Sequence, residues 1–388
     1  MIMNQIAYLD NAATTQVDPE VLETMIPYMK ECYGNPSSTY ALGRDSRSAI
    51  ESARKQVAEI LGVKATSIYF TSGGTESNNT AIAASVNDLG CTHIITSPIE
   101  HHAVLHTVKH YAKNSKISYS FVRLNAAGDV DLDDLERQLV EYAKNGHKCL
   151  VSLMHANNEI GVMLEIESVG TIARRYGAIF HSDCVQTIGH YPINLINFGV
   201  HFASASAHKF HGPKGTGILY VSDGTKFGAL LHGGGQERKK RAGTENVHGI
   251  IGFAKALKLS MDNFLYDHSY IKSLNKRMRI GLKEIAKEIT FNHSETSLYT
   301  VLSANFQSGS NTDLMLSLLD SKGIYASGGS ACSSTEDEGS HVISALNRNL
   351  PGATIRFSFS KMTSVEDIDF AIESIKGILT PTNHALSI

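Results

Sequence analysis

The chain is poor in everything that would build a disulfide scaffold. Its five cysteines (Cys32, Cys91, Cys149, Cys184 and Cys332) lie far apart and form no CxxC pair. That argues against a disulfide framework or a structural zinc site and fits a reducing, cytoplasmic setting. No stretch reaches the ~18 apolar residues of a membrane span. The opening Met1-Ile2-Met3-Asn4-Gln5 has neither a basic segment nor a long apolar run, so no secretory signal is expected there. A net charge of −3 gives no global field favouring nucleic acid or a membrane surface. There is no internal repeat and no low-complexity segment. Gly212-Pro213-Lys214-Gly215-Thr216-Gly217 matches neither a Walker A loop nor GxGxxG, which removes the usual nucleotide readings.

What is present is enough chain, 388 residues, for two domains and a large core. Asp18-Pro19 reads as a helix start, with Leu22, Met25, Ile26 and Met29 on one face. A second helix carries Ile50, Ala53, Val57 and Leu61 and stops at Gly62. Short β-branched or aromatic runs follow at Ile68-Tyr69-Phe70, His93-Ile94-Ile95, Leu150–Leu153, Ala178-Ile179-Phe180, Phe202–Ala205 and Gly217–Val221. Strands separated by helices predict a mostly parallel sheet covered on both faces. After about residue 260 the pattern changes. A long helix through Ile271, Leu274, Met278 and Ile285, strands at Val301–Phe306 and Thr354–Phe357, and further amphipathic helices predict a smaller α+β unit.

Motifs sit just after the strands, where open α/β sheets bind ligands. Lys209 ends the run Ser206-Ala207-His208-Lys209, and Asp183 with Gln186 follows an apolar strand. A lysine amine that forms a Schiff base, together with a carboxylate for a pyridine nitrogen, describes a pyridoxal phosphate (PLP) site. The loop Ser72-Gly73-Gly74-Thr75 suits a phosphate if a helix starts at Thr75, although a plain capped turn has the same pattern. His101 can move protons near neutral pH. His102, His106 and His110 share a helical spacing, but no carboxylate or cysteine completes a metal motif. Cys332 lies in the polar run Ser327-Gly328-Gly329-Ser330-Ala331-Cys332-Ser333-Ser334, a poor setting for a core residue and a good one for a reactive thiol. Arg356, in an apolar strand, requires an anion: either a substrate carboxylate or an internal ion-pair partner.

Assembled, these motifs resemble the cysteine desulfurases of the NifS/IscS type within the class V aminotransferases. The resemblance runs over nearly the whole chain. It begins at Tyr8-Leu9-Asp10-Asn11-Ala12-Ala13-Thr14-Thr15 and continues through Gly34-Asn35-Pro36-Ser37-Ser38, Glu100-His101 and His155–Gly161. It ends with Arg241-Ala242-Gly243-Thr244, Ser330-Ala331-Cys332 and Ile355-Arg356-Phe357-Ser358. It implies the PLP-dependent transferase fold type I: a large α/β/α domain over 15–260, and a small α+β domain of 1–14 and 261–388 that carries a cysteine loop.

The resemblance also implies roles. Lys209 bonds pyridoxal 5'-phosphate, Asp183 pairs with the pyridine nitrogen, and Gln186 and Asn158 address the ring hydroxyl. Gly74, Thr75, Ser206 and His208 hold the phosphate, joined by Thr244 from a partner subunit of a homodimer. His101 stacks on the ring. Arg356 and Asn158 take the carboxylate of L-cysteine, and Cys332 receives the sulfur as a persulfide for an acceptor protein. Iron–sulfur assembly and the thiolation of tRNA or DNA are the implied destinations. Selenocysteine lyase, an aminotransferase and a non-catalytic sulfur-relay protein are the rival readings. Neither direct nucleic-acid binding nor membrane association is expected. The acidic run Glu336-Asp337-Glu338 and the short tail after Asn383 depart from the family pattern. The acidic run is expected to act on the acceptor.

Overall fold

The structure, a computed structural model, describes residues 5–115, 117–292, 296–307, 314–328, 340–346 and 352–380. Twelve strands occur among the described residues: β1 (Ala7–Tyr8), β2 (Ile68–Thr71), β3 (His93–Thr96), β4 (Ser118–Phe121), β5 (Cys149–Ser152), β6 (Ile179–Asp183), β7 (Phe202–Ser206), β8 (Gly217–Val221), β9 (Thr290–Asn292), β10 (Val301–Phe306), β11 (Ile324–Tyr325) and β12 (Ala353–Ser358).

Seven strands form the central sheet in the order β2-β8-β7-β6-β5-β3-β4. Only β8 runs against its neighbours; every other pair is parallel. Strands β3, β5, β6, β7 and β8 are buried at every residue. That burial explains the apolar runs within them, such as Ile94-Ile95, Leu150-Val151 and Ile179-Phe180, since a parallel sheet covered on both faces has no solvent side to alternate with. One core cluster joins Ile68, Phe70, Val151, Phe180 and Ile218 to the helices Ala41–Ile60 and Val247–Asp262. Another packs Ile94, Leu150 and Phe202 under the helices Gly74–Asn87 and His102–Asn114. The fold is α/β of the expected kind.

The remaining strands make a separate core. Antiparallel β12-β10-β9 and the parallel pair β1-β11 pack with the helices Phe264–Ile285 and Val365–Leu379 around Leu9, Leu274, Met278, Phe306, Phe357 and Ile368. The N-terminal strand β1 thus belongs to the later part of the chain.

Two expectations need correction. In the helix Pro19–Lys30 the cap is as read, with Asp18 accepting from the Glu20 N–H at 2.9 Å. Its buried face, however, is Val21 and Met25, and Leu22 and Met29 are 49% and 53% exposed. The helix leans Met25 onto Gly252 of its neighbour, and that contact, rather than the widest apolar stripe, sets its rotation. The helix after the Gly-rich loop begins at Gly74, one residue before Thr75.

Next to this loop the backbone is strained. Glu237, Arg238 and Lys239 have φ of 43°, 55° and 65°, the left-handed region that costs side-chain-bearing residues ~1–2 kcal/mol each. A buried clamp holds them. Arg54 donates to both oxygens of Glu237 at 2.8 Å, and the Phe70 N–H adds a third bond at 3.0 Å. Arg54→Ala would leave Glu237 buried without its cation, which predicts a loss of about 3–5 kcal/mol in chemical denaturation.

Candidate active site

One cavity of about 370 Å³ gathers most of the residues singled out from the sequence: Gly74, Thr75, His101, Asn158, Asp183, Gln186, Ser206, His208, Lys209 and Arg356 all line it. Asp183 ends β6, Ser206 ends β7, and a single 3-10 turn (Ala207–Lys209) carries His208 and Lys209. The cavity therefore lies at the carboxyl ends of parallel strands.

On the phosphate side, Gly73 has φ 151° and a Cβ on Gly217 would meet the Gly73 backbone at 2.6 Å. Only glycine serves at both points, because the loop and β8 touch there. A Cβ on Gly74 would meet Val185 at 2.7 Å. The free amides at the start of the helix Gly74–Asn87, with the hydroxyls of Thr75 and Ser206, form a place for an anion. His208 Nδ1 lies 3.1 Å from Thr14 Oγ1. Burial first, then the charges of Lys209 and Lys214, press its pKa to about 4.

Behind Asp183 lies a relay that sequence reasoning missed. Asn78 Nδ2 donates to Asp183 Oδ2 at 2.6 Å, and the Val185 N–H donates to Oδ1 at 3.0 Å. His181 Nε2 reaches Asn78 Oδ1 at 3.1 Å, and Ser152 Oγ is 2.9 Å from His181 Nδ1. Because Asn78 Oδ1 only accepts, His181 carries its proton on Nε2. The available signal was the spacing of His181 and Asp183, two apart on one strand and so on one face.

Lys209 Nζ donates to the carbonyls of Ala12 and Ala13 at 2.7 and 2.8 Å. Gln186 Nε2 shares the Ala12 carbonyl at 3.1 Å. His101 caps the helix His102–Asn114, its Nδ1 accepting from the Ala103 N–H at 3.1 Å, so in the neutral ring the proton sits on Nε2. Burial lowers the His101 pKa, and Lys209, His341 and His106 lower it further against the pull of Asp183. His102, His106 and His341 cluster beside it with tilted rings, the His106 and His341 centroids 4.8 and 4.5 Å from that of His102. Glu100 was also unforeseen. It is fully buried, it accepts from the Met154 N–H at 2.7 Å, and burial raises its pKa well above the carboxylate range.

Arg356 is buried and has an internal partner. Its Nη2 donates to Asp10 Oδ1 at 2.5 Å, and its Nη1 to the Asn158 carbonyl at 3.1 Å. Both alternatives left open by the sequence are therefore in play: the side chain lines the cavity and it is ion-paired. Thr244 is exposed and does not line the cavity. Its segment is tied to the Gly-rich loop, since Arg241 holds Glu76 at 3.0 Å and Glu76 accepts from the Ser72 N–H at 2.8 Å. Cys332, Glu336, Asp337 and Glu338 lie outside the described residues.

The donor set fits pyridoxal phosphate. An amine, a fixed carboxylate and an anion-binding helix start open onto one cavity whose glycines leave room for a flat ring. Lys209 would bond its aldehyde, Asp183 would face its ring nitrogen, and Gly74, Thr75, Ser206 and His208 would take its phosphate.

The buried histidines give a pH prediction. Burial pushes His155, His181, His190 and His211 from 6.5 to about 4. Between pH 6.5 and 4 the unfolded chain binds more protons than the folded one, so stability must fall as pH drops through that window. A thermal midpoint that stays level from pH 7 to 4 would contradict this.

Residues 7–370 match the family model described as aminotransferase class-V. A cysteine desulfurase IscS of Methanosarcina thermophila is 42% identical over 381 residues, covering 97% of this chain and 92% of its own length. The cysteine desulfurase IscS of Dictyoglomus turgidum is also 42% identical, over 385 residues, with 97% and 95% covered. Among solved structures, a NifS-like protein superposes with a TM-score of 0.87 at 36% identity, covering 97% of this chain and 99% of that one. SspA in complex with cysteine superposes with a TM-score of 0.78 at 29% identity, covering 92% and 100%. The chain belongs to the class-V aminotransferase family and, within it, to the cysteine desulfurases.

Proposed function

We propose that this protein is a PLP-dependent cysteine desulfurase that converts L-cysteine to L-alanine and leaves the sulfur as a persulfide on Cys332. The observation that carries the reading is the convergence of Lys209, Asp183 and Arg356 on one cavity. An amine, a carboxylate for a pyridinium and a carboxylate-binding cation are what an amino-acid substrate of this cofactor class requires. Relatives named cysteine desulfurase, alike over nearly their whole length, support the choice of cysteine. The two domains are read as 15–260, and 1–14 with 261–388.

When bound, pyridoxal phosphate supplies a sink for the electron pair left at Cα. The chain's own groups do the rest. Arg356 takes the substrate carboxylate on the N–H groups that Asp10 and Asn158 leave free. Lys209, once it leaves the Ala12 and Ala13 carbonyls, takes the Cα proton. His101, kept neutral by burial and presenting Nε2–H, steers protons beside it. The Asn78–His181–Ser152 relay holds the Asp183 carboxylate in one orientation. The Cys332 thiolate then attacks the substrate sulfur. The Cβ–Sγ bond breaks, an S–S bond forms, and a proton goes to Cβ to give alanine. The thiol is oxidised to persulfide as that carbon is reduced, so no outside oxidant is needed.

The sulfur then passes to an acceptor protein, with Glu336, Asp337 and Glu338 tuning its approach through exposed charge. A homodimer in which Thr244 reaches the neighbouring cofactor phosphate agrees with its exposure outside its own cavity.

Lys209→Ala is expected to lose the visible absorbance of the lysine-bound cofactor together with alanine release. Cys332→Ser should bind both cofactor and cysteine yet carry no added sulfur by mass spectrometry. Sulfur mapped in the parent protein to Cys32, Cys91, Cys149 or Cys184 instead would move the acceptor role away from Cys332.

A further inference from the structure

Arg356 already has an anion before any substrate arrives. Its side chain is 2% exposed, and it is paired through Nη2 with Asp10 Oδ1 at 2.5 Å. Nη1 is committed to the Asn158 carbonyl at 3.1 Å. Nε is buried and has no hydrogen-bond partner among the described residues. A carboxylate entering the cavity therefore meets a guanidinium with unused N–H capacity whose charge is largely answered by a neighbour.

We propose that Asp10 is the resident counter-anion of Arg356, a positioning residue that competes with the carboxylate of substrate and product and so sets how tightly both are held. The proposal rests on the reading of Arg356 as the carboxylate site and deepens it. With no ligand bound, Asp10 prevents an uncompensated buried cation. With ligand bound, two carboxylates share one planar fork, and their repulsion weakens the hold. Product alanine carries the same carboxylate as cysteine, so the repulsion also favours its departure.

The position of Asp10 gives the competition a second reach. It is bridged to Ser358, close in sequence to Arg356, and two and three residues on are the Ala12 and Ala13 carbonyls that hold Lys209. A shift of Asp10 on carboxylate binding would be felt directly at the lysine amine.

The test uses the holoenzyme with two probes: L-alanine, and cysteamine, which keeps the amine and thiol of cysteine but lacks the carboxylate. Asp10→Asn preserves shape and one acceptor oxygen while removing the charge. It is expected to bind L-alanine roughly fivefold or more tightly than the parent, by spectral titration, with cysteamine binding unchanged. Its thermal midpoint should be lower without ligand, and saturating L-alanine should raise it by more than in the parent. Asp10→Glu should return alanine affinity towards the parent value. If Asp10→Asn is insoluble, Asp10→Ser gives the same comparison.

A lowered midpoint with alanine affinity unchanged or weaker would make the pair purely structural and overturn the proposal. Equal tightening of both probes would also overturn it, because the effect would not concern the carboxylate. A parent enzyme that binds no L-alanine would instead bring down the reading of Arg356, and the proposal with it.

Discussion

The segment from Asp10 to Thr15 is the constraint on which the site depends. It passes between the two cores and bonds to both. On one side Arg356 reaches Asp10, and Ser358 Oγ accepts from the Ala12 N–H at 2.8 Å. On the other, Lys209 and Gln186 donate to the Ala12 carbonyl, and Thr15 Oγ1 accepts from the His211 N–H at 2.7 Å. The Thr15 N–H also donates to the His208 carbonyl at 2.8 Å. Six residues thus fix the spacing between Arg356 and Lys209. Effective catalysis by positioning demands such a fixed spacing. It also explains why β1 pairs with β11 rather than with the central sheet: the segment must be anchored on the side it comes from.

The central sheet contributes a different control, over charge. Asp183 faces the cavity from a strand end, while His181 and Ser152 lie buried behind it. The two oxygens of Asp183 accept from an amide side chain and a backbone N–H, which fixes the direction of the carboxylate. The relay ends at the Ser152 hydroxyl. Glu100, close by and fully buried, has its pKa raised by burial and then by the charge of Asp183 itself. Asp183, at the end of β6, thus acts on a carboxyl in the loop that follows β3.

How much of this was legible follows from where the information lies. The central strands could be read because burial on both faces writes them as apolar runs, and Gly217–Val221 and Val301–Phe306 agree with β8 and β10 to the residue. Strand β4 was not legible: it is an edge strand with partly exposed residues, and its sequence Ser118-Tyr119-Ser120-Phe121 carries little apolar signal. The short β1, β9 and β11 depend on distant partners for their existence. Leu22 and Met29 misled because a stripe of apolar residues does not say which of its members meets a neighbour. At the site, Lys209, Asp183 and Gln186 could be found because each sits at a strand end with a recognisable chemical task. Asn78 and Asp10 could not, since what defines each is a contact with a residue more than a hundred positions away.

The left-handed run Glu237-Arg238-Lys239 shows how strain is kept where it is useful. No glycine relieves it, so the conformation persists only while Arg54 and the Phe70 N–H hold Glu237. Arg238 adds to this by stacking over Tyr69, its guanidinium 4.1 Å from the ring centre. Both anchors are on or beside β2, the strand that leads straight into the Gly-rich loop. Just beyond the strained run, Arg241 grips Glu76 on the helix that the loop begins. The Arg241-Ala242-Gly243-Thr244 segment is therefore referenced at two points to the Gly-rich loop and its helix. The cost of the strain is set against the buried Arg54–Glu237 ion pair.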